Sequence, residues 1–263
     1  MGLFQKKAPL EKEWEKLMKE ERKFLLSRAE KRDSFLNQKL DQLVPDKLQD
    51  TLDTAFAKAF GLIFDKGTGV IEKTYRKDEL EKNFQINQFA SEVRKDGKSL
   101  RKFSKKAKQS GNINLLVSGA AGIGMGVLGV GIPDIPVFIG MVLKSVYEIA
   151  LNYGYRYDTA EEQYFILLLI ETAVSHGREL IERNQEIDNY IKMEKMPEPY
   201  KREVQIKLTS AMLSKELLYM KFLQGVPVVG AVGGAYDVIY LKQITDYASL
   251  KYKRRFLTKK RME

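Results

Sequence analysis

Apolar residues recur along this chain at helical spacing. Leu10, Trp14, Leu17 and Phe24 form one stripe, and Leu36, Leu40 and Leu43 continue it on a slightly rotated line, with Glu and Lys filling the other face. That spacing predicts one long amphipathic helix over residues 10–43, broken by Pro45. Leu48, Leu52, Phe56, Phe60 and Ile63 mark a second helix, which Gly67 and Gly69 are expected to end. Residues 70–108 read as polar helix with sparse apolar positions, among them Tyr75, Phe84, Ile86 and Phe89, and Gly111 with Asn112 marks a break.

The middle of the chain changes character. Between Ile113 and Leu143 the one charge is Asp134, and seven glycines interrupt the apolar run. Pro133 disfavours helix at Ile132, and Asp134 stands where it would cap a new helix running towards Tyr153, with Gly154 suited to its C-terminus. Asp158 and Glu161 suit the start of the next helix, whose run Phe165–Ile170 is apolar on every side and predicts full burial. A polar helical stretch follows to about Met196. Pro197 and Pro199 make a loop, and Tyr200–Leu223 is a further amphipathic helix. The segment Gly225–Leu241 repeats the middle one in outline, with Gly225, Pro227 and Gly234 standing for Gly131, Pro133 and Gly140 at one offset. No run alternates long enough to demand a strand.

The expected fold is therefore all-α: an amphipathic N-terminal arm over 1–47, then a single helical domain over 48–263 holding two glycine-rich apolar hairpins. Gly122 with Gly126 and Gly230 with Gly234 have the GxxxG spacing that lets two backbones approach, in a bilayer or in a soluble core. Residues 113–133 are long enough to cross a bilayer, so insertion of 113–143 stands beside burial as a soluble hairpin.

Composition narrows the chemistry. The 263 residues include no cysteine and one histidine, His176, so thiolate sites, cysteine nucleophiles and nitrogen–sulfur zinc sites are excluded. Gly124, Gly126 and Gly129 have dinucleotide-loop spacing, but the alternating strands and helices of that fold are missing. Gly97–Lys98–Ser99 lacks the upstream glycine of a phosphate loop, which is Glu92 here. Ser175, His176 and Glu171 lie together, but neighbours on a helix point apart, so no triad is expected. No catalytic residue, metal or cofactor is assigned, and a non-enzyme is expected. Asp134 and Asp237, in apolar surroundings, need buried partners, for which Lys144 and Glu148 are candidates.

Charge is concentrated. The formal net charge is +10, yet residues 94–108 carry +7 and 251–263 carry +6, leaving the rest at about −3. Lys98, Arg101, Lys102, Lys105 and Lys106 in the first patch, and Lys253, Arg254, Arg255, Lys259 and Lys260 in the second, are candidates to face an anionic membrane, because the patches flank the two apolar segments. On that reading, removing 251–263 should weaken binding to anionic vesicles and leave neutral vesicles unaffected. Nucleic acid is the rival partner, though no helix-turn-helix, zinc motif or aromatic platform accompanies the charge.

The runs GIPDIPVFIG, YEIALNYGYRYDTAEEQYFILLLI, VPVVGAVGGAYDVIY and ITDYASLKYKRRFL occur in an order that resembles the bacterial EcsC family, over roughly Leu48–Leu257. The resemblance carries no catalytic residues. It implies a bacterial helical protein, cytoplasmic or membrane-associated. The expected function is an accessory protein, peripheral on the inner face of the cytoplasmic membrane, binding lipid or a membrane protein such as a transporter. A soluble helical module for RNA or DNA, and an enzyme or small-ligand carrier of uncharacterised type, are the alternatives.

Overall fold

The computed structural model describes residues 8–29, 46–117, 134–223 and 235–263, with side chains described except at 66–68, 70, 110–117, 134, 219–223 and 235–238. These residues are all-α, with no strand among them. In chain order they form α1 (Pro9–Leu26), α2 (Asp46–Leu62), a π-helical turn (Ile63–Gly67), α3 (Thr68–Glu72), α4 (Lys77–Arg94), α5 (Gly97–Val117), α6 (Asp134–Asn152), α7 (Ala160–Val174), α8 (Gly177–Met193), α9 (Arg202–Leu223) and α10 (Ala235–Met262).

The C-terminal helix is the axis of the fold. At 28 residues, α10 is about 42 Å long. It packs against α1, α5, α6, α7 and α8. Tyr240, Leu241, Ile244, Tyr247, Ala248, Tyr252, Phe256 and Leu257 are all buried, and from Tyr247 to Leu257 no residue of α10 is exposed, whereas Ile239, Lys242 and Asp246 give its first half a solvent face. Helix α7 is the second core helix, and Phe165–Ile170 are fully buried as their composition predicts. Helix α6 fills the space between α2, α4, α5 and α10 with Ile139, Val142, Leu143 and Val146. Helices α2 and α9 form an antechamber to this core, packed on each other and on α6 and α7 respectively.

Several local expectations give way to tertiary contacts. The helix expected over 10–43 stops at Leu26. Beyond it, the Arg28 carbonyl accepts from the Gly177 N–H at 2.9 Å and the Arg28 guanidinium donates to the Ala173 carbonyl at 2.8 Å, tying the chain to the α7–α8 junction. Leu36, Leu40 and Leu43 lie outside the described residues. The second helix does not end at Gly67 and Gly69 but passes through the π turn to Glu72. Helix α5 runs through Gly111 and Asn112 to Val117, because an interior glycine costs only about 1 kcal/mol, little against the packing of a helix this long. The cap of α7 is Thr159, whose hydroxyl accepts from the Glu162 N–H at 3.2 Å, one residue later than Asp158. Asp158 instead pairs with Arg156 at 2.6 Å.

Helix α1, expected as an appended arm, packs on α5 and α10 with Leu17 fully buried. Gly122, Gly126, Gly230 and Gly234 lie outside the described residues, as do 118–133 and 224–234, which make up most of the two glycine-rich hairpins. What is described of the flanking helices, α6 and α10, does pack together.

Gly154 closes α6 as expected, with a left-handed φ of +81°. A Cβ there would stand 2.2 Å from the Phe84 ring of α4. Gly154→Ala should therefore lower the unfolding free energy by roughly 2 kcal/mol or more, from backbone strain and the clash together. Gly61→Ala, where a Cβ meets nothing within 4 Å, should be neutral or slightly stabilising. Urea denaturation of the two variants checks the pair, and equal effects would remove the Phe84–Gly154 contact from the account.

Candidate functional site

The second basic patch folds inward. Lys251 has no exposure, and its ammonium lies 2.8 Å from Asp188 of α8 and 3.3 Å from Glu21 of α1. The Arg254 guanidinium grips the Glu21 carboxylate and stands 3.3 Å from Asp188. Lys253 donates to Glu13 of α1 at 3.1 Å. Arg255 donates to both oxygens of Glu162 on α7, at 2.9 and 2.8 Å, and lies 4.0 Å over the Tyr155 ring and 4.5 Å over Phe165. Tyr252 completes that carboxylate's shell, donating at 2.6 Å. Burial pushes the Glu162 carboxyl above its usual range, against the pull of Arg255 and Tyr252.

Lys253, Arg254 and Arg255 are thus turned inward and not towards a membrane, contrary to expectation, and removing 251–263 would take buried core residues such as Tyr252, Phe256 and Leu257 with it. The physical reason is that α10 is the axis of the bundle, and carboxylates from α1, α7 and α8 meet its cations one by one. Those carboxylates were missed in the sequence. A usable signal lies in α1, where Glu13, Glu20 and Glu21 fall on the same face as Leu17 and Phe24.

The first patch faces outward. Lys98, Arg101, Lys102 and Lys105 are exposed along α5, and Lys106 is half-buried. The two patches adjoin in space through the Phe103–Phe256 ring contact at 4.5 Å. At the end of α10, Lys259 is exposed, Lys260 bridges Glu92 of α4 at 3.3 Å, and Arg261 approaches Glu11 of α1 at 3.7 Å. The start of α1, the end of α4, the start of α5 and the end of α10 therefore meet at one end of the bundle.

Helix α1 sorts its charge by face. Glu13 and Glu21 are buried towards α5 and α10, while Lys12, Lys16, Lys19 and Lys23 are exposed. Between α1 and α5, above α10, runs a groove of two hollows of about 530 and 490 Å³. Both hollows are lined by Glu20, Lys108, Ser249 and Leu250, and the Lys108–Glu20 pair, 3.7 Å apart, crosses between them. Lys98, Arg101, Lys102 and Lys105 all line the larger hollow.

The remaining candidates are scattered. Glu148 is buried and Lys144 half-buried on α6, while the side chains of Asp134 and Asp237 lie outside those described. Ser175 donates to the Glu171 carbonyl at 2.9 Å, and His176 stands 4.0 Å from Glu216, so Ser175, His176 and Glu171 form no relay. The Glu171 carboxylate, fully buried, accepts from Thr209 at 2.6 Å, Gln205 at 2.8 Å and Arg183 at 2.5 Å. Burial outweighs these donors and pushes its pKa up to about 7.

The sequence model of the EcsC protein family matches residues 11–257. The chain belongs to that family. The match includes α1, so in this EcsC-family protein the helix that supplies Glu13 and Glu21 lies within the family region, and the likeness is not confined to 48–257. Comparison with curated proteins gave no match, and neither did comparison with solved structures.

Two outcomes follow from the buried charges. Glu162→Ala strands Arg255 in the core and should cost about 3–5 kcal/mol, whereas Glu162→Met with Arg255→Met should recover most of it. Denaturant unfolding of the single and double variants measures this, and a double variant no better than the single would contradict the pairing. Glu171 binds its proton more tightly when folded than when unfolded. It therefore favours folding at low pH and loses that contribution as pH rises from about 4.5 to 7, on the order of 3 kcal/mol in all. The stability difference between wild type and Glu171→Gln should fall across that interval and level off above it. A difference that stays flat with pH would place the Glu171 pKa near its ordinary value.

Proposed function

We propose that this protein is a non-enzymatic accessory protein that docks peripherally on an anionic membrane face through the end of the bundle where α4, α5 and α10 meet. The observation that carries the reading is an apolar stripe left in solvent. Ile86, Phe89 and Val93 are 66%, 70% and 66% exposed, at i, i+3 and i+7 on α4. Spacing of that kind puts three large side chains on one edge, and a soluble helix ordinarily turns such an edge into the core.

Cations continue the stripe. Arg94, Lys95 and Lys98 follow Val93 across the two-residue α4–α5 connection, and all three are exposed. Apolar side chains with lysine and arginine beside them suit the boundary between headgroups and acyl chains. Each large apolar side chain buried there contributes about 2 kcal/mol. Each nearby cation adds about 1 kcal/mol at an anionic surface, within a Debye length of roughly 8 Å at physiological salt. The reading does not require a membrane span. Ile135–Asn152 of α6 is long and apolar enough for one, but 83% of it is buried inside the bundle, where it serves as core. Inner-face location and transporter linkage belong to this proposal as the setting in which such a module would work.

Vesicle co-sedimentation tests it. Wild-type protein should bind vesicles with 30% anionic lipid and be released only in part by high salt. Replacing Ile86, Phe89 and Val93 by serine, at positions already in solvent, should leave the fold intact and reduce binding roughly a hundredfold or more, and the residue should become fully salt-sensitive. Full retention of vesicle binding by the serine variant would remove the stripe from the mechanism. Binding of RNA or DNA with steep salt dependence, and of no vesicle, would favour the nucleic-acid alternative.

A further inference from the structure

We propose that the larger hollow between α1 and α5 is a binding site for one multiply charged phosphate group, the chemistry shared by a phosphomonoester lipid headgroup and a small free phosphate compound. The lipid source rests on the membrane reading above; the site itself does not.

The charge balance of the hollow is the first argument. Seven Lys or Arg side chains line it against two carboxylates, Glu13 and Glu20. Both carboxylates are already engaged, Glu13 by Lys253 and Arg101, and Glu20 by Lys108. Lys16, Lys98, Lys102 and Lys105 line the same hollow and make no ion pair with any described residue. The last three stand at i, i+4 and i+7 along one edge of α5, and Lys16 belongs to the opposite wall. Like charges gathered around one cavity raise its potential and draw in a counter-anion. A folded protein tolerates that repulsion at little cost on an open surface, but here the fold gathers the lysines around a recess.

The floor is the second argument. Tyr153 is buried, and its hydroxyl donates to Ser104 Oγ at 3.3 Å, which leaves the Ser104 proton for a ligand oxygen. Ser249, from α10, lines the same floor, and its hydroxyl makes no hydrogen bond with any described residue. Hydroxyl donors beneath an ammonium rim suit a tetrahedral dianion, which offers several acceptor oxygens to different directions at once. The volume, about 530 Å³, is that of a small-ligand site and accepts a headgroup without its acyl chains. Nothing in this arrangement distinguishes bases or aromatic rings, so nucleic acid is an outcome of the test and not the proposal.

Calorimetric titration at low salt with inorganic pyrophosphate is the first arm, and vesicles bearing phosphatidic acid or an equal charge of phosphatidylglycerol are the second. Pyrophosphate should bind one per chain. Lys102→Ala with Lys105→Ala should weaken it about tenfold or more, and Ser249→Ala by less, while Lys12→Ala with Lys19→Ala, which removes as much charge outside the hollow, should change it less than about twofold. A headgroup source predicts preference for phosphatidic acid over phosphatidylglycerol and competition by pyrophosphate; a free-phosphate source predicts pyrophosphate binding with no lipid preference. The Ile86, Phe89 and Val93 serine variant should lose vesicles and keep pyrophosphate. If pyrophosphate binds and vesicles do not, the site stands and the membrane reading falls. If vesicles bind with neither pyrophosphate binding nor headgroup preference, or if both lysine pairs weaken binding equally, the site is overturned.

Discussion

A lysine carried to zero exposure keeps its charge only where carboxylates replace the water it gives up. In this bundle that exchange happens along one helix. Residues 251–255 of α10 bring four cations inside, and Glu13, Glu21, Glu162 and Asp188 meet them from α1, α7 and α8. The pairs need not be the main source of stability, since a buried ion pair only roughly offsets its own desolvation. Their stronger effect is on register. Helix α1 lies antiparallel to α10, with Glu11 near Arg261, Glu13 at Lys253 and Phe24 against Tyr247. Sliding α1 by one turn would take Glu13 from Lys253 and Glu21 from Arg254, and would leave Lys251 with Asp188 alone.

The outward face follows from the inward one. With Glu13 and Glu21 committed to the core, the solvent side of α1 is left to Lys12, Lys16, Lys19 and Lys23. Opposite them stand the lysines of α5, whose own apolar edge is spent on Phe103 and Ala107. The groove between the two helices is therefore basic because the interior is neutral: most of the acid available nearby points inward. The exposed stripe on α4 adds apolar surface near the end of the same assembly. On the proposed reading, adhesion and recognition are separate tasks, the first given to the stripe and the second to the hollow.

Much of the fold was legible from periodicity alone. The all-α class, the full burial of Phe165–Ile170, the span of α6 to Gly154 and the loop at Pro197 and Pro199 all follow from local pattern. What local pattern could not show is where a charged segment points. The run KYKRR reads as an outward-facing helix surface because lysine and arginine ordinarily seek water. Its burial depends on carboxylates up to 240 residues away in sequence, as with Glu13 and Lys253. Helix ends were misplaced for the same kind of reason. Ser27 ends α1 because Arg28 is claimed by the α7–α8 junction, and Gly111 fails to end α5 because its cost is small against packing. The candidate site was half-visible: Lys98, Arg101, Lys102 and Lys105, singled out as membrane-facing candidates, are exposed, but their opposite wall on α1 needed the fold.

The division of the basic residues into a buried set and an outward set is the claim on which the rest stands, and amine footprinting of the folded protein tests it most directly. Under brief acetylation, Lys98, Lys102 and Lys105 should label quickly, and Lys251 and Lys253 should stay unlabelled until the protein is unfolded. Labelling of Lys251 and Lys253 in the native protein at the rate of the α5 lysines would contradict the account.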